Sequence, residues 1–138
     1  MLQTFIILNK LQTLLFILLF SFVSSINLHA QSTKKIDIKY AGKLTIDEDN
    51  YPGAKILTRD DAQQVHIEHG GANMWCDKAI HYSKDNFIEA YGNVILKQGD
   101  TINMTSQYIE YSGLTELAFA SGDVVMKDPN STISSDTL

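Results

Sequence analysis

The chain has 138 residues, with 11 Lys and Arg against 16 Asp and Glu and a formal net charge of −5 at pH 7. This acidic balance argues against a nucleic-acid partner, because binding to a phosphate backbone depends on clustered Lys and Arg. The single cysteine, Cys76, excludes an internal disulfide. The fold must therefore rest on an ordinary hydrophobic core or on a repeating one.

Residues 1–30 have the composition of a secretory signal peptide. They carry one Lys or Arg, Lys10, and an apolar run over 14–23 that a single serine interrupts. A run of this length is typical of a signal-peptide core and is too short to cross a membrane. Because the small residue Ala30 ends this segment, we predict a cleaved signal peptide over 1–30 and a mature domain over 31–138. An uncleaved anchor that also uses the preceding apolar residues is the alternative.

The rest of the chain is divided by Gly and Pro into pieces too short for good helices. Between these breaks lie runs of β-branched and aromatic residues, which suit a pleated and half-buried surface. The clearest runs are 36–40, 65–69, 94–97 and 124–127. None shows the spacing of an amphipathic helix, so the sequence predicts an all-β fold.

The chain also repeats itself with a period of about 30 residues. Segment 89–97 aligns with 119–127 at Ala, Gly, Asn or Asp, three apolar residues and Lys, and segment 104–109 aligns with 133–138. Each unit predicts a strand, a kink at Gly-Asn or Gly-Asp, a second strand, a polar turn and a third strand. The chain stops inside a unit at Leu138, so we expect it to be a fragment of a longer protein.

An apolar face follows from the same repeat. If the glycine kinks preserve the strand phase, the even-numbered apolar residues of two successive units share one face of the sheet. They are Ile88, Val94, Leu96, Ile102, Met104, Val124 and Met126. A one-residue slip at a kink would exchange this set for Ile95 and Val125. Such a face either closes as a dry core or forms an open groove for acyl chains.

No catalytic or metal-binding pattern is found. On a strand His66 and His69 face opposite sides, as do Cys76 and His81, so we predict solvated or turn-facing histidines and no metal site. Cys76 aligns with Ser106 and is interpreted as a small packing residue. With no Gly-x-Ser-x-Gly elbow and no cleft with paired carboxylates, we expect neither an enzyme nor a cofactor.

The repeated segments 90–101 (AYGNVILKQGDT) and 106–111 (SQYIEY) resemble the OstA/LptA-like family of lipopolysaccharide-transport bridge proteins, whose repeat has a Gly-Asn-Val centre. Segment 69–79 (HGGANMWCDKA) is similar to the OstA-like proteins of Bacteroidetes-type bacteria, which carry His-Gly-Gly and Met-x-Cys-Asp at this point. Segment 51–55 (YPGAK) also fits that subgroup. The likeness runs over about 36–138.

The resemblance implies an elongated β-jellyroll, a V-shaped pair of antiparallel sheets whose interior takes the acyl chains of lipid A. The implied function is non-enzymatic transport of lipopolysaccharide or a related glycolipid through the periplasm toward the outer membrane. Implied partners are that glycolipid and other β-jellyroll transport components, joined by edge-strand pairing. Formation of a homo-oligomer and association with the outer membrane stay open.

The sequence departs from the family pattern in one unit, and its periodicity also fits a second function. The first unit departs from the family pattern, because 62–65 (AQQV) stands where the family has Gly-Asn-Val. In addition, periodicity alone fits an alternative function, a structural β-repeat such as a cell-surface stalk or adhesin segment with a closed core.

Overall fold

The computed structural model describes residues 34–138, which form ten β-strands and no helix. The strands are β1 (Asp37–Tyr40), β2 (Lys43–Thr45), β3 (Lys55–Thr58), β4 (Val65–His69), β5 (Ala72–Cys76), β6 (Lys78–Tyr82), β7 (Phe87–Gln98), β8 (Ile102–Ser112), β9 (Leu117–Lys127) and β10 (Thr132–Thr137). The all-β prediction is confirmed. The predicted signal peptide lies outside the described residues. Across 34–138 there is no helix with the length and apolar character needed to span a membrane.

All strands join one antiparallel sheet that divides into two arms. The first half of β7 pairs with β6, and its second half pairs with β5. Beyond β6 follow β3 and β2, and beyond β5 follow β4 and β1. We call these the β6 arm and the β5 arm; β8 and β9, paired along the length of β7, extend through both.

The arms meet where the long strands bend at glycine. Gly92 and Asn93 have φ of 74° and 46°, and Gly122 and Asp123 have φ of 76° and 52°. Asn and Asp tolerate this left-handed conformation better than most residues, which explains why one of them follows each glycine. The β7–β8 pairing shifts register between Tyr91 and Val94, as a β-bulge does. The predicted Gly-Asn and Gly-Asp kinks are therefore present in β7 and β9.

The bulges also decide which residues face inward. In β7 both Ala90 and Val94 are fully buried and lie four residues apart, so even-numbered residues face inward both before and after the kink. In β8 the buried residues are Ser106 and Ile109, three apart, so the phase changes there instead. Two residues of β7 oppose Gln107 alone, which accounts for the difference. The one-residue slip that would have turned Ile95 and Val125 toward the interior therefore does not occur.

The two arms face each other across one hydrophobic core. Leu57 and Ala79 of the β6 arm and Val65, Ile67 and Met74 of the β5 arm belong to a single buried cluster. Burial of each Leu, Val, Ile or Met side chain of this set contributes about 1.5–3 kcal/mol. The β-jellyroll prediction is confirmed, with the difference that its two sheets are arms of one continuous curled sheet.

Candidate apolar groove

The structure divides the seven predicted groove residues into two sets. Ile88, Val94 and Val124 are at most 1% exposed and belong to the closed core. The other four line a cavity of about 180 Å³, which we call the groove cavity. They are Leu96, Ile102, Met104 and Met126. The even-numbered face thus has one part that is packed in the core and one part that faces the groove cavity.

Cross-strand pairing arranges the inner side of the β5 arm into one apolar row. The row consists of Ile38, Ile67, Met74, Leu96, Met104, Met126 and Ile133. Residues directly opposite one another in an antiparallel pair share a face, so this row runs across seven strands. The row is closed at Met74, which is 3% exposed, and open at Ile133 on β10, which is 43% exposed.

A second apolar row crosses the β6 arm. It consists of Leu44, Leu57, Ala79, Ala90, Ile109, Ala120 and Leu138. Leu138 joins the row through reciprocal backbone hydrogen bonds with Ala120, of 2.9 and 2.7 Å. The five middle residues are at most 1% exposed, whereas Leu44 is 52% and Leu138 42% exposed. The interior therefore presents apolar side chains at both edges of the sheet.

The groove cavity has an apolar floor and a polar wall. Its apolar lining includes Ala72 and Ala118 beside the four predicted residues, and its polar lining is His69, Gln98, Tyr111 and Glu116. Apolar cavities with a few placed polar groups are typical of sites for amphiphilic ligands. The sequence predicted the floor from its periodicity, but it gave no indication of the wall.

His69 and Tyr111 form the part of this wall that connects the arms. His69 ends β4 in the β5 arm, and its Nδ1 lies 2.8 Å from the hydroxyl of Tyr111 in the β6 arm. Its Nε2 lies 2.9 Å from the backbone carbonyl oxygen of Lys34. Because a carbonyl can only accept, Nε2 donates to it, and in a neutral imidazole Nδ1 is then the acceptor for the tyrosine hydroxyl. Burial, together with the nearby Glu116, raises the pKa of Tyr111 and so keeps its hydroxyl protonated.

Asn86 provides a second connection at the same end of the molecule. Its side chain accepts a hydrogen bond from the N–H of Ile36 at 2.8 Å and donates one to the Lys34 carbonyl at 3.0 Å. Gly113 donates its N–H to the Asn86 carbonyl at 2.7 Å, and a Cβ on Gly113 would lie 2.4 Å from Asn86 Nδ2. Asn86 is therefore fixed on one side by Gly113 and holds the segment before β1 on the other.

Asp77 stabilises the first kink. Its carboxylate accepts hydrogen bonds from Asn93 at 2.7 Å, Gln64 at 3.1 Å and Arg59 at 3.2 Å. Burial by itself raises the pKa of Asp77, but the three donors outweigh it and hold the pKa below its ordinary value. This network was missed from the sequence.

The histidine prediction is wrong for two residues. His69 is 4% and His81 6% exposed, and His81 Nδ1 is buried without a hydrogen-bond partner. Burial, with Lys55 nearby, lowers the pKa of His81 and favours its neutral form. Cys76 is fully buried in the core, as expected of a packing residue. Within 34–138 no three His, Cys, Asp or Glu side chains lie close enough to hold a metal ion.

Comparison with known proteins identifies the family. The model of the OstA-like protein family matches residues 33–138, which is most of the chain and includes both arms. No curated protein matches the sequence. The chain belongs to the OstA-like protein family.

Proposed function

We propose that this protein is a non-enzymatic, periplasmic carrier of lipopolysaccharide or a related glycolipid, and that the glycolipid moves toward the outer membrane with its acyl chains between the two arms. Membership of the OstA-like family supports this class of function. The predicted signal peptide is in keeping with export.

The observation that carries the proposal is the pair of facing apolar rows. The β5-arm row crosses seven strands, and the β6-arm row crosses six and ends at exposed Leu44 and Leu138. An acyl chain that contacts the exposed residues of these rows would gain about 25 cal/mol for each Å² of apolar surface removed from water. Rows that extend to both edges would let the same ligand be held at either edge once the arms separate.

Edge pairing would extend this path into a neighbour. In the described part of the chain β10 pairs only with β9, and all six of its residues are exposed. An open edge presents free backbone donors and acceptors to another strand. We propose that other β-jellyroll transport components, or a second copy of this chain, add to this edge, so that Ile133 and Leu138 continue as apolar rows in the partner.

A structural β-repeat with a closed core is the competing function. It agrees with the fully buried middle of the β6-arm row. It gives no reason for Leu44, at the β2 end of its inner row, to be 52% exposed, because a structural repeat needs only a dry interior. The groove cavity beside Leu96 favours the carrier.

A photo-crosslinking amino acid at Leu96 separates the two functions. Leu96 faces the groove cavity, whereas its neighbour Ile95 faces the opposite side of β7 and serves as the matched control. Incubated with purified lipopolysaccharide, the carrier gives an adduct at position 96 and little at 95. Equal labelling at both positions, or none at 96 in a folded protein, would favour the closed repeat.

A further inference from the structure

The segment before β1, residues 34–36, lies between the arms without joining the sheet. We call it the strap. Ile36 is 5% exposed and belongs to the hydrophobic core, yet side chains and not a strand hold its backbone. Its N–H donates to Asn86 Oδ1, and the Lys34 carbonyl accepts from both Asn86 and His69. Ladder pairing begins only at Asp37, which opposes Glu68.

Each of the two side chains that hold the Lys34 carbonyl also lines a cavity. The groove cavity includes His69 and Tyr111 in its wall. A second cavity of about 320 Å³ is lined by Lys35, Ser83, Lys84, Asn86 and Leu114. His69 lines the first cavity and Asn86 the second, while both side chains bind the same Lys34 carbonyl. The Lys34 carbonyl of the strap is therefore held by one residue from the lining of each cavity.

We propose that the strap is a displaceable plug, which an acyl chain entering the groove cavity pushes out, so that the two cavities become one longer site. The proposal rests on the proposed function, since it takes the glycolipid as the occupant. An acyl chain can replace the apolar contacts that Ile36 makes, and release of the strap breaks three side-chain hydrogen bonds and no ladder pairing.

Because the strap and the ligand would compete for the same space, substitutions that loosen the strap should change the affinity for the ligand in a definite direction. If the site is open in only a fraction of molecules, the apparent dissociation constant equals the intrinsic one divided by that fraction. Weakening the attachment of the strap raises this fraction and tightens ligand binding. A substitution that merely damages the fold would weaken binding instead.

Asn86→Gly is the variant that releases the strap. It removes two of the three hydrogen bonds, and glycine adopts the φ of 50° at this position without strain. Asn93→Gly is the matched control, because the same side chain is removed at a φ of 46° in the first kink, where it binds Asp77. We expect Asn86→Gly to bind fluorescently labelled lipopolysaccharide at least threefold more tightly than wild type, and Asn93→Gly no more tightly.

Amide hydrogen exchange in the wild-type full chain provides a second readout. Saturating lipopolysaccharide should speed exchange of the Ile36 N–H at least tenfold and leave that of Met74 in β5 unchanged. Unchanged or slower exchange at Ile36, or unchanged or weaker binding by a folded Asn86→Gly protein, overturns the plug while the carrier function stands.

If wild-type protein fails to bind lipopolysaccharide, the proposed function falls and the plug is judged with 8-anilinonaphthalene-1-sulfonate. Greater dye uptake by Asn86→Gly than by Asn93→Gly and wild type supports a strap that closes an apolar cavity. Equal uptake in all three proteins overturns it.

Discussion

Cys76 and Ser106 occupy equivalent positions beside the first kink, and both side chains are buried. Val65 pairs with Cys76 and Val94 pairs with Ser106, so both small residues lie against buried valines on the inner face. Ser106 satisfies its hydroxyl by donating to the Tyr108 carbonyl at 3.1 Å. The thiol of Cys76 needs no such partner and packs as a small apolar group.

This environment predicts an unreactive thiol. Burial raises the pKa of Cys76 to about 12, and alkylation requires an accessible thiolate. Native protein at pH 8 should therefore resist iodoacetamide for hours, as followed by mass spectrometry. The same protein unfolded in urea should react within minutes, and labelling of the native protein at that unfolded rate would contradict the buried placement.

At the scale of single elements, the kinks depend on glycine for two separate reasons. Gly92 and Gly122 have positive φ, and both also lack space: an added Cβ would lie 3.0 Å from Asp77 Oδ2 or 2.9 Å from Gln107 Cβ. Gly53 has the same φ of 74° as Gly92 but has no heavy atom within 4 Å of such a Cβ. A comparison of Gly53 with Gly92 and Gly122 therefore separates the effect of backbone strain from the effect of crowding.

Gly92→Ala should destabilise the protein more than Gly53→Ala. Both pay about 1–2 kcal/mol for the left-handed backbone, and crowding against Asp77 adds about 1–3 kcal/mol to the first alone. Urea unfolding of the two variants measures the difference directly. Equal losses at the two sites would mean that the kink has room to relax.

The carboxylate at the first kink predicts a dependence of stability on pH. The hydrogen bonds to Asp77 lower its folded pKa, so its contribution is present above its ordinary pKa of 3.8 and is lost as pH falls through that value and below. Asp77→Asn should be less stable than wild type at pH 7, and the gap should narrow toward pH 3. The curves are compared by urea unfolding at each pH, and a constant gap would exclude this role for Asp77.

The sequence predicted the strands and the inward phase of β7 and β9 because burial alternates along each strand and Gly-Asn or Gly-Asp marks each bend. It did not predict the phase change in β8, since the residues that cause it lie on the neighbouring strands. The strap and the histidine wall were also missed. Ile36 meets Asn86 from 50 residues away and His69 meets Tyr111 from 42, and no local pattern encodes such contacts.

At the scale of the whole molecule, β10, which within residues 34–138 pairs only with β9, predicts association of this chain through its other edge. The N–H of Asp128 donates to the Ser131 carbonyl, so these two residues form a hydrogen-bonded pair. Along an antiparallel ladder, hydrogen-bonded pairs alternate with pairs whose N–H groups point away from each other. This alternation directs the N–H of Ile133 toward Met126 and that of Ser134 toward the open side. Proline at Ser134 would remove an outward donor without breaking the β9–β10 ladder.

Wild-type protein should therefore self-associate with rising concentration in analytical ultracentrifugation. Ser134→Pro should shift this association to higher concentration, while Ser134→Ala, which keeps the N–H, should behave as wild type. A wild-type protein that stays monomeric at high micromolar concentration would remove edge pairing and leave the apolar interior untouched.

The central claim is that a glycolipid lies along inner rows that run from edge to edge. Photo-crosslinkers at Leu44 and Leu138 test it most directly, because within residues 34–138 they are the exposed ends of one row and lie on opposite edges of the sheet. Lys43 and Thr137, each one residue away and on the outer face, are the controls. The carrier predicts lipopolysaccharide adducts at 44 and 138 and few at 43 and 137. Adducts at one edge alone, or equal labelling of both faces, would contradict a continuous path through the protein.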